Sequence, residues 1–158
     1  MPLVLVHNDV VANPQHVWDD VEGVQYHYPA KYQSKIKTGE TFVYYRGVHR
    51  TEGKRGAAEY VGSGRIGDIW VDPEPRNEGR KAWYCGIDDY RRFAVPVPAK
   101  IDGVTLEQIP ANLWRDGVRT IDPEVFNRIL TLAAEHGPER DGVSTNAASI
   151  ETDRKSVV

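Results

Sequence analysis

Apolar and polar positions fall into short runs along this chain, most of them with the length and texture of strands. Residues 3–7, Leu-Val-Leu-Val-His, read as a first strand, and residues 8–14 as a turn-rich connection. Residues 15–20 have room for one helical turn before Glu22-Gly23 breaks it. Pro29 suits the first position of a helix, where its missing amide hydrogen costs nothing, and Gly39 suits its end; the pattern predicts a short helix over 30–37. β-Branched and aromatic content makes 41–46 a strand, and 53–56 is a charged, flexible loop. Residues 59–71 continue as a long strand carrying Gly62, Gly64 and Gly67. Glycine weakens a strand unless it supplies a bulge, a bend or a close approach, so this spacing predicts a strongly curled sheet, or a ligand lying on the backbone. A small barrel is the natural home for it. Residues 72–80 form a loop, and 81–96 return as strand with Trp83, Tyr84 and Phe93, interrupted by a turn at Asp88-Asp89. Asp122-Pro123-Glu124 opens the clearest helix, with an N-cap, a first-position proline and an acid near the positive helix end. Val125, Phe126, Ile129, Leu130, Leu132 and Ala133 give it one apolar face to lay on the sheet, and Gly137 ends it. Beyond that the chain is small, polar and without period. The expected organisation is one domain over 1–137 and a disordered tail over 138–158, with no internal repeat.

Composition narrows this picture. The chain has 158 residues, the size of one ordinary domain, and its 40% hydrophobic and 27% charged content is that of a water-soluble globular protein. No apolar run approaches the roughly 20 residues of a bilayer span. The apolar start lacks a basic leader and a small-residue cleavage pattern, and reads as strand rather than signal peptide. Cys85 is the single cysteine, which excludes an internal disulfide and a cysteine-rich zinc site and fits a reducing cytoplasm. A net charge of -3 argues against a protein that coats nucleic acid by charge alone. The distribution is uneven, however. From Lys31 to Arg65 eight basic residues face three acidic ones, a footprint compatible with a phosphate-binding face or with a solvated surface.

Overlapping the start of that basic stretch lies the chain's densest aromatic group. Tyr26, His27, Tyr28, Tyr32, Phe42, Tyr44 and Tyr45 fall among Lys31, Lys35, Lys37 and Arg46. Flat faces beside positive charge suit a planar group attached to phosphate, with a nucleic-acid base as the working candidate. Core packing is the competing reading for Tyr28, Tyr44 and Tyr45, and strand alternation lets only one of the adjacent pair Tyr44 and Tyr45 face inward. Trp70 and Trp83 are expected in the core.

Tyr26-His-Tyr-Pro29 with Tyr32, Gly39 before Phe42-Val-Tyr-Tyr-Arg-Gly47, Tyr60-Val-Gly-Ser-Gly-Arg-Ile-Gly-Asp-Ile69, and Ala82-Trp-Tyr-Cys-Gly-Ile-Asp-Asp-Tyr90 with Phe93 occur in that order. Together they resemble the N-terminal modules of EVE-HNH-type modification-dependent restriction endonucleases. Those modules belong to the PUA-like superfamily, with the EVE, YTH, ASCH and SRA domains. The likeness runs from about residue 18 to about 130, and includes Gly117-Val-Arg-Thr-Ile-Asp122. It implies an α+β fold: a PUA-like curled, mostly antiparallel β-barrel with flanking helices. It also implies a DNA-binding, SRA-like reader whose pocket takes a modified cytosine, 5-methylcytosine or 5-hydroxymethylcytosine, by base flipping, in restriction of modified DNA. The chain departs from the commoner EVE wording at Gln25-Tyr26-His27, where that form has an arginine and an asparagine. The expected base pocket comprises Trp18, Tyr26, His27, Tyr28, Tyr32, Tyr45, Ser63 and Asp68, with Asp68 accepting the exocyclic amine of cytosine. Phosphate contacts are expected from Lys31, Lys35, Arg46, Arg50, Lys54, Arg55 and Arg65. The implied partner is double-stranded DNA carrying modified cytosine, the module acting alone or as the specificity part of a restriction system whose cleaving part is a separate nuclease. An RNA-binding YTH-like module is the alternative within the superfamily.

Catalysis, metal and cofactors find little support in the residues. The five histidines show no paired metal-ligand spacing, and the glycines of 62–67 do not open a helix as a dinucleotide fingerprint requires. Asp72, Glu78 and Lys81 loosely resemble the carboxylate and lysine set of metal-dependent nucleases, which keeps an unrecognised nuclease site as a second alternative. Cys85 lies in an expected strand, where a small buried thiol is the default.

Overall fold

The computed structural model describes residues 1–7, 20–48, 56–73 and 81–135. Strands are β1 (Leu3–Val6), β2 (Gln25–Pro29), β3 (Thr41–Arg46), β4 (Glu59–Val71), β5 (Ala82–Pro98), β6 (Lys100–Ile101), β7 (Val104–Thr105) and β8 (Val118–Thr120); α1 is Pro123–Glu135. Six strands form one sheet in the order β2-β5-β4-β3-β1-β8, and β6 and β7 form a hairpin beside it. Every neighbouring pair is antiparallel except β1 and β3.

β1 is apolar throughout because it is covered on both faces. Leu3 and Leu5 join Phe42, Tyr44, Ile66, Cys85 and Val118 in the core inside the curl. Val4 joins Val43, Tyr60 and Val97 in a second core on the other face, under Phe126, Ile129 and Ala133 of α1. Burying side chains of this size stabilises by ~1.5–3 kcal/mol each. α1 begins as its residues predict, with Asp122 Oδ1 accepting the Glu124 amide at 2.9 Å.

β4 and β5 are 13 and 17 residues long. Laid flat they would run about 43 and 56 Å at the usual rise, far more than a domain of this size can span. They curl instead, through breaks in register near Tyr60/Gly62, Ser63/Arg65 and Ile66/Ile69. The glycines permit this by close approach: a Cβ on Gly62 would lie 2.6 Å from the Tyr90 hydroxyl, and one on Gly64 would lie 2.9 Å from the Phe42 ring. Neighbouring side chains take the space that a ligand on the backbone would need. Asp88-Asp89 is not a turn. β5 runs through it, and Asp89, at φ 52°, is the extra residue between the Arg65–Asp88 and Ser63–Arg91 pairs.

Two further expectations change. Residues 30–37 form a short 3-10 turn, Ala30–Tyr32, followed by irregular chain rather than a helix. Among the described residues α1 is the one α-helix, accompanied by the 3-10 turns Ala30–Tyr32 and Ala111–Arg115, so "flanking helices" reduces to that. Gly137 and the expected tail lie outside the described residues. Within them, no helix is long and apolar enough to cross a membrane.

The sheet's two edges, β2 and β8, do not pair, yet side chains tie them. The Tyr26 hydroxyl donates to Val6 O at 3.0 Å and Gly117 O at 3.1 Å, and the Tyr32 hydroxyl accepts the Gly117 amide at 2.8 Å. Lys35 Nζ adds a bond to Val118 O at 3.3 Å. The curl becomes a barrel whose seam is closed by tyrosines.

Candidate nucleic-acid interface

Alternation along β2 sends Tyr26 and Tyr28 into the barrel and His27 to the outside. Tyr26 and Tyr28 present nearly parallel rings, 6.2 Å apart and 21° inclined. Their strand-register partners on β5 are Cys85 and Trp83. Tyr32, Ile36, Ile69 and the half-buried Trp83 complete this end of the interior. The two tyrosines differ in one respect. Tyr26 is satisfied by the seam, whereas the Tyr28 hydroxyl and the Trp83 Nε1, both buried, have no hydrogen-bond partner among the described residues. Burial pushes both phenols far above their usual range, so each keeps its proton and its capacity to donate.

Three ammonium groups surround this end. Lys31 Nζ and Lys35 Nζ lie 5.0 and 5.7 Å from the Tyr32 ring centre, and Lys81 Nζ lies 6.0 Å from that of Trp83. A backbone bond from the Ala30 amide to Lys81 O, at 3.3 Å, brings the two segments together. Aromatic rings therefore face inward while positive charge stands at their rim. Lys35 also approaches Asp116 at 3.9 Å.

His27 belongs to a different cluster. Its Nε2 meets Asp72 Oδ2 at 2.9 Å in a fully buried pair, and its ring stacks on Tyr84 at 4.2 Å. Tyr84 stacks in turn on Trp70 at 5.3 Å. Trp70 is 40% exposed rather than core, on the part of β4 beyond its register with β3. Asp72, one of the carboxylates of the nuclease alternative, is thereby held by His27.

Tyr45 faces the second core, where Tyr44 faces the first. Arg119 lies over Tyr45 and over Trp114, 4.8 Å from each, and is held by Glu107 through bonds of 2.8 and 2.7 Å. Tyr60 donates its hydroxyl to the same carboxylate. Ser63 is paired with Val43, a residue of that second core, so neither Tyr45 nor Ser63 is brought to Tyr28. Asp68 is exposed on β4. Arg46 donates to Glu59 and Arg65 to Asp89. Trp18, Arg50, Lys54, Arg55 and Glu78 lie outside the described residues. Of the fifteen expected contacts, Tyr26, Tyr28, Tyr32, Lys31 and Lys35 come together. Trp83 and Lys81 join them without having been singled out for this role. Their signal was the alternation in Lys81-Ala-Trp83 opposite Tyr28-Pro-Ala30, visible only once the strands are paired.

Among the described residues no group of three or more histidine, cysteine, aspartate or glutamate side chains is placed to hold a metal. Burial pushes the Cys85 thiol up to about 12, which leaves no nucleophilic thiolate near neutrality.

No family model matches the chain, and no curated protein matches it. Among solved structures, the N-terminal domain of Staphylothermus marinus McrB is similar over 82% of this chain and 92% of that one, at 12% identity and a TM-score of 0.54. At that identity the likeness speaks to the fold. The fold is the α+β, PUA-like curled barrel.

Proposed function

We propose that the protein is a DNA-binding module that reads a modified cytosine, 5-methylcytosine or 5-hydroxymethylcytosine, flipped out of a duplex. The base enters the barrel end formed by Tyr28, Tyr32 and Trp83. Lys31, Lys35 and Lys81 bind the phosphates beside it, together with Arg50, Lys54 and Arg55 of the neighbouring basic stretch. The observation that carries this reading is the ring of three ammonium groups over the faces of Tyr32 and Trp83. The barrel fold, and the resemblance to modules of modification-dependent restriction enzymes, support it.

The magnitudes are compatible. Extruding a base costs a few kcal/mol, and stacking returns about 1–3 kcal/mol per base. A buried methyl adds only on the order of 1 kcal/mol, so the preference for modified over plain cytosine is moderate. Phosphate contacts supply the rest and make binding steeply salt dependent. The module is a reader without catalysis of its own, and a separate nuclease would cleave. Competition among a 5-methylcytosine duplex, the unmodified duplex and an RNA of the same sequence tests this. The methylated duplex should compete best. Equal affinity for both duplexes, or preference for RNA, would overturn the reading.

A further inference from the structure

We infer that Tyr28 Oη and Trp83 Nε1 are the donors that read the ligand, and that the ring they select is one presenting acceptors to both. This rests on the site proposed above and names the edge that site recognises.

Buried donors without partners are rare in a folded interior, and a pair on neighbouring strands is informative. Tyr28 and Trp83 are directly opposed in the β2–β5 register, and both hydrogen-bonding atoms are buried and, among the described residues, unpaired. The phenols around them are not in that condition. Tyr26, Tyr32 and Tyr44 each engage the backbone, at Val6 and Gly117, at Gly117, and at Gly23. Among the tyrosine and tryptophan side chains of the described residues, the two buried and unpaired donors both lie at the end of the barrel whose rim carries Lys31 and Lys81.

The two groups differ in what they tolerate. An indole N–H can only donate, so the atom facing Trp83 must be an acceptor. A phenol donates or accepts by rotating, which makes Tyr28 the permissive partner. Cytosine presents O2 and N3 side by side as acceptors. With Tyr28 on O2 and Trp83 on N3, thymine and uracil, which carry a hydrogen on N3, would meet the indole hydrogen head on. Methylation at C5 leaves the O2 and N3 edge unchanged, so the selection acts on the base and not on the modification. Its role is to reject thymine, the other 5-methylpyrimidine of DNA.

The test uses the full chain and duplexes identical except at one position, which carries 5-methylcytosine opposite guanine or thymine opposite guanine. The native protein should prefer 5-methylcytosine by about tenfold, the order expected for a donor left facing a donor. Trp83→Phe keeps a flat ring, removes the N–H and should abolish that preference. Tyr28→Phe should weaken 5-methylcytosine binding several-fold, with thermal unfolding confirming that both variants fold. If the native protein binds 5-methylcytosine duplex but both variants retain its affinity and its discrimination, the inference falls while the proposed function stands. If the native protein shows no preference for the methylated over the unmodified duplex, the proposed function itself falls.

Discussion

Tyr26 and Tyr28 sit two residues apart on one face of β2, and removing a hydroxyl should cost stability at the first and none at the second. Tyr26 Oη carries one proton shared between Val6 O at 3.0 Å and Gly117 O at 3.1 Å, across the barrel seam. In Tyr26→Phe a neutral hydrogen bond worth about 0.5–1.5 kcal/mol is lost, and a carbonyl is left facing a ring edge, which adds to the cost. The expected loss is about 1–3 kcal/mol. Tyr28 Oη has no partner among the described residues, so Tyr28→Phe sacrifices none of their bonds and relieves the burial of an unpaired hydroxyl. Its expected effect is between zero and a gain of about 1 kcal/mol. Urea unfolding of the three proteins, compared at a common slope, reads both values. Equal losses in the two variants, or a loss above about 1 kcal/mol for Tyr28→Phe, would refute the distinction between a seam tyrosine and a ligand-facing one.

The rim lysines make a second prediction: Lys31→Gln or Lys81→Gln should weaken all duplexes alike and lower the slope of log affinity against log salt by about 1 each, measured by fluorescence anisotropy. Glu107→Gln should cost about 3–5 kcal/mol, because it strands a buried Arg119 under Tyr45 and Trp114, and the double change Glu107→Leu with Arg119→Met should restore much of it in chemical unfolding. Alkali should unfold the protein. Burial raises Cys85 from its ordinary 9.0 to about 12, so its contribution is intact below 9.0 and is lost as pH climbs toward 12. Tyr28, Tyr44, Tyr60 and Tyr90, raised above their ordinary 10.0 chiefly by burial, act in the same direction. A melting temperature that stays level across that window would contradict the burial assigned to these groups.

Much of the fold was legible because local chemistry and tertiary demand agreed. Thr41–Arg46 and Glu59–Val71 are strands over the expected residues, and Asp122-Pro123 starts α1 as capping predicts. Three features resisted for physical reasons. Asp88-Asp89 has turn chemistry, but a bulge uses the same left-handed tolerance without reversing the chain, and only the register with β4 distinguishes the two. Pro29 and Gly39 bracket a helix-like segment, yet the tie of Tyr32 to Gly117 fixes the chain in a single 3-10 turn. Tyr26, His27 and Tyr28 look like one cluster by composition, but on a strand the middle residue faces the other way. His27 therefore pairs with Asp72 outside the barrel, while its neighbours line the inside. The hairpin of β6 and β7 carries a legible signal, Asp102-Gly103, whose positive φ angles of 52° and 78° are those of the favoured two-residue turn.

Under the proposed function a base leaves the duplex and enters the barrel end. A 2-aminopurine placed beside a single 5-methylcytosine reports this directly, since its fluorescence rises when its stacking neighbour is removed. Addition of the native protein should brighten that duplex well beyond its unmethylated counterpart, and Tyr28→Phe should reduce the effect in step with its loss of affinity. Saturable binding with no rise in fluorescence, or an equal rise on both duplexes, would contradict it.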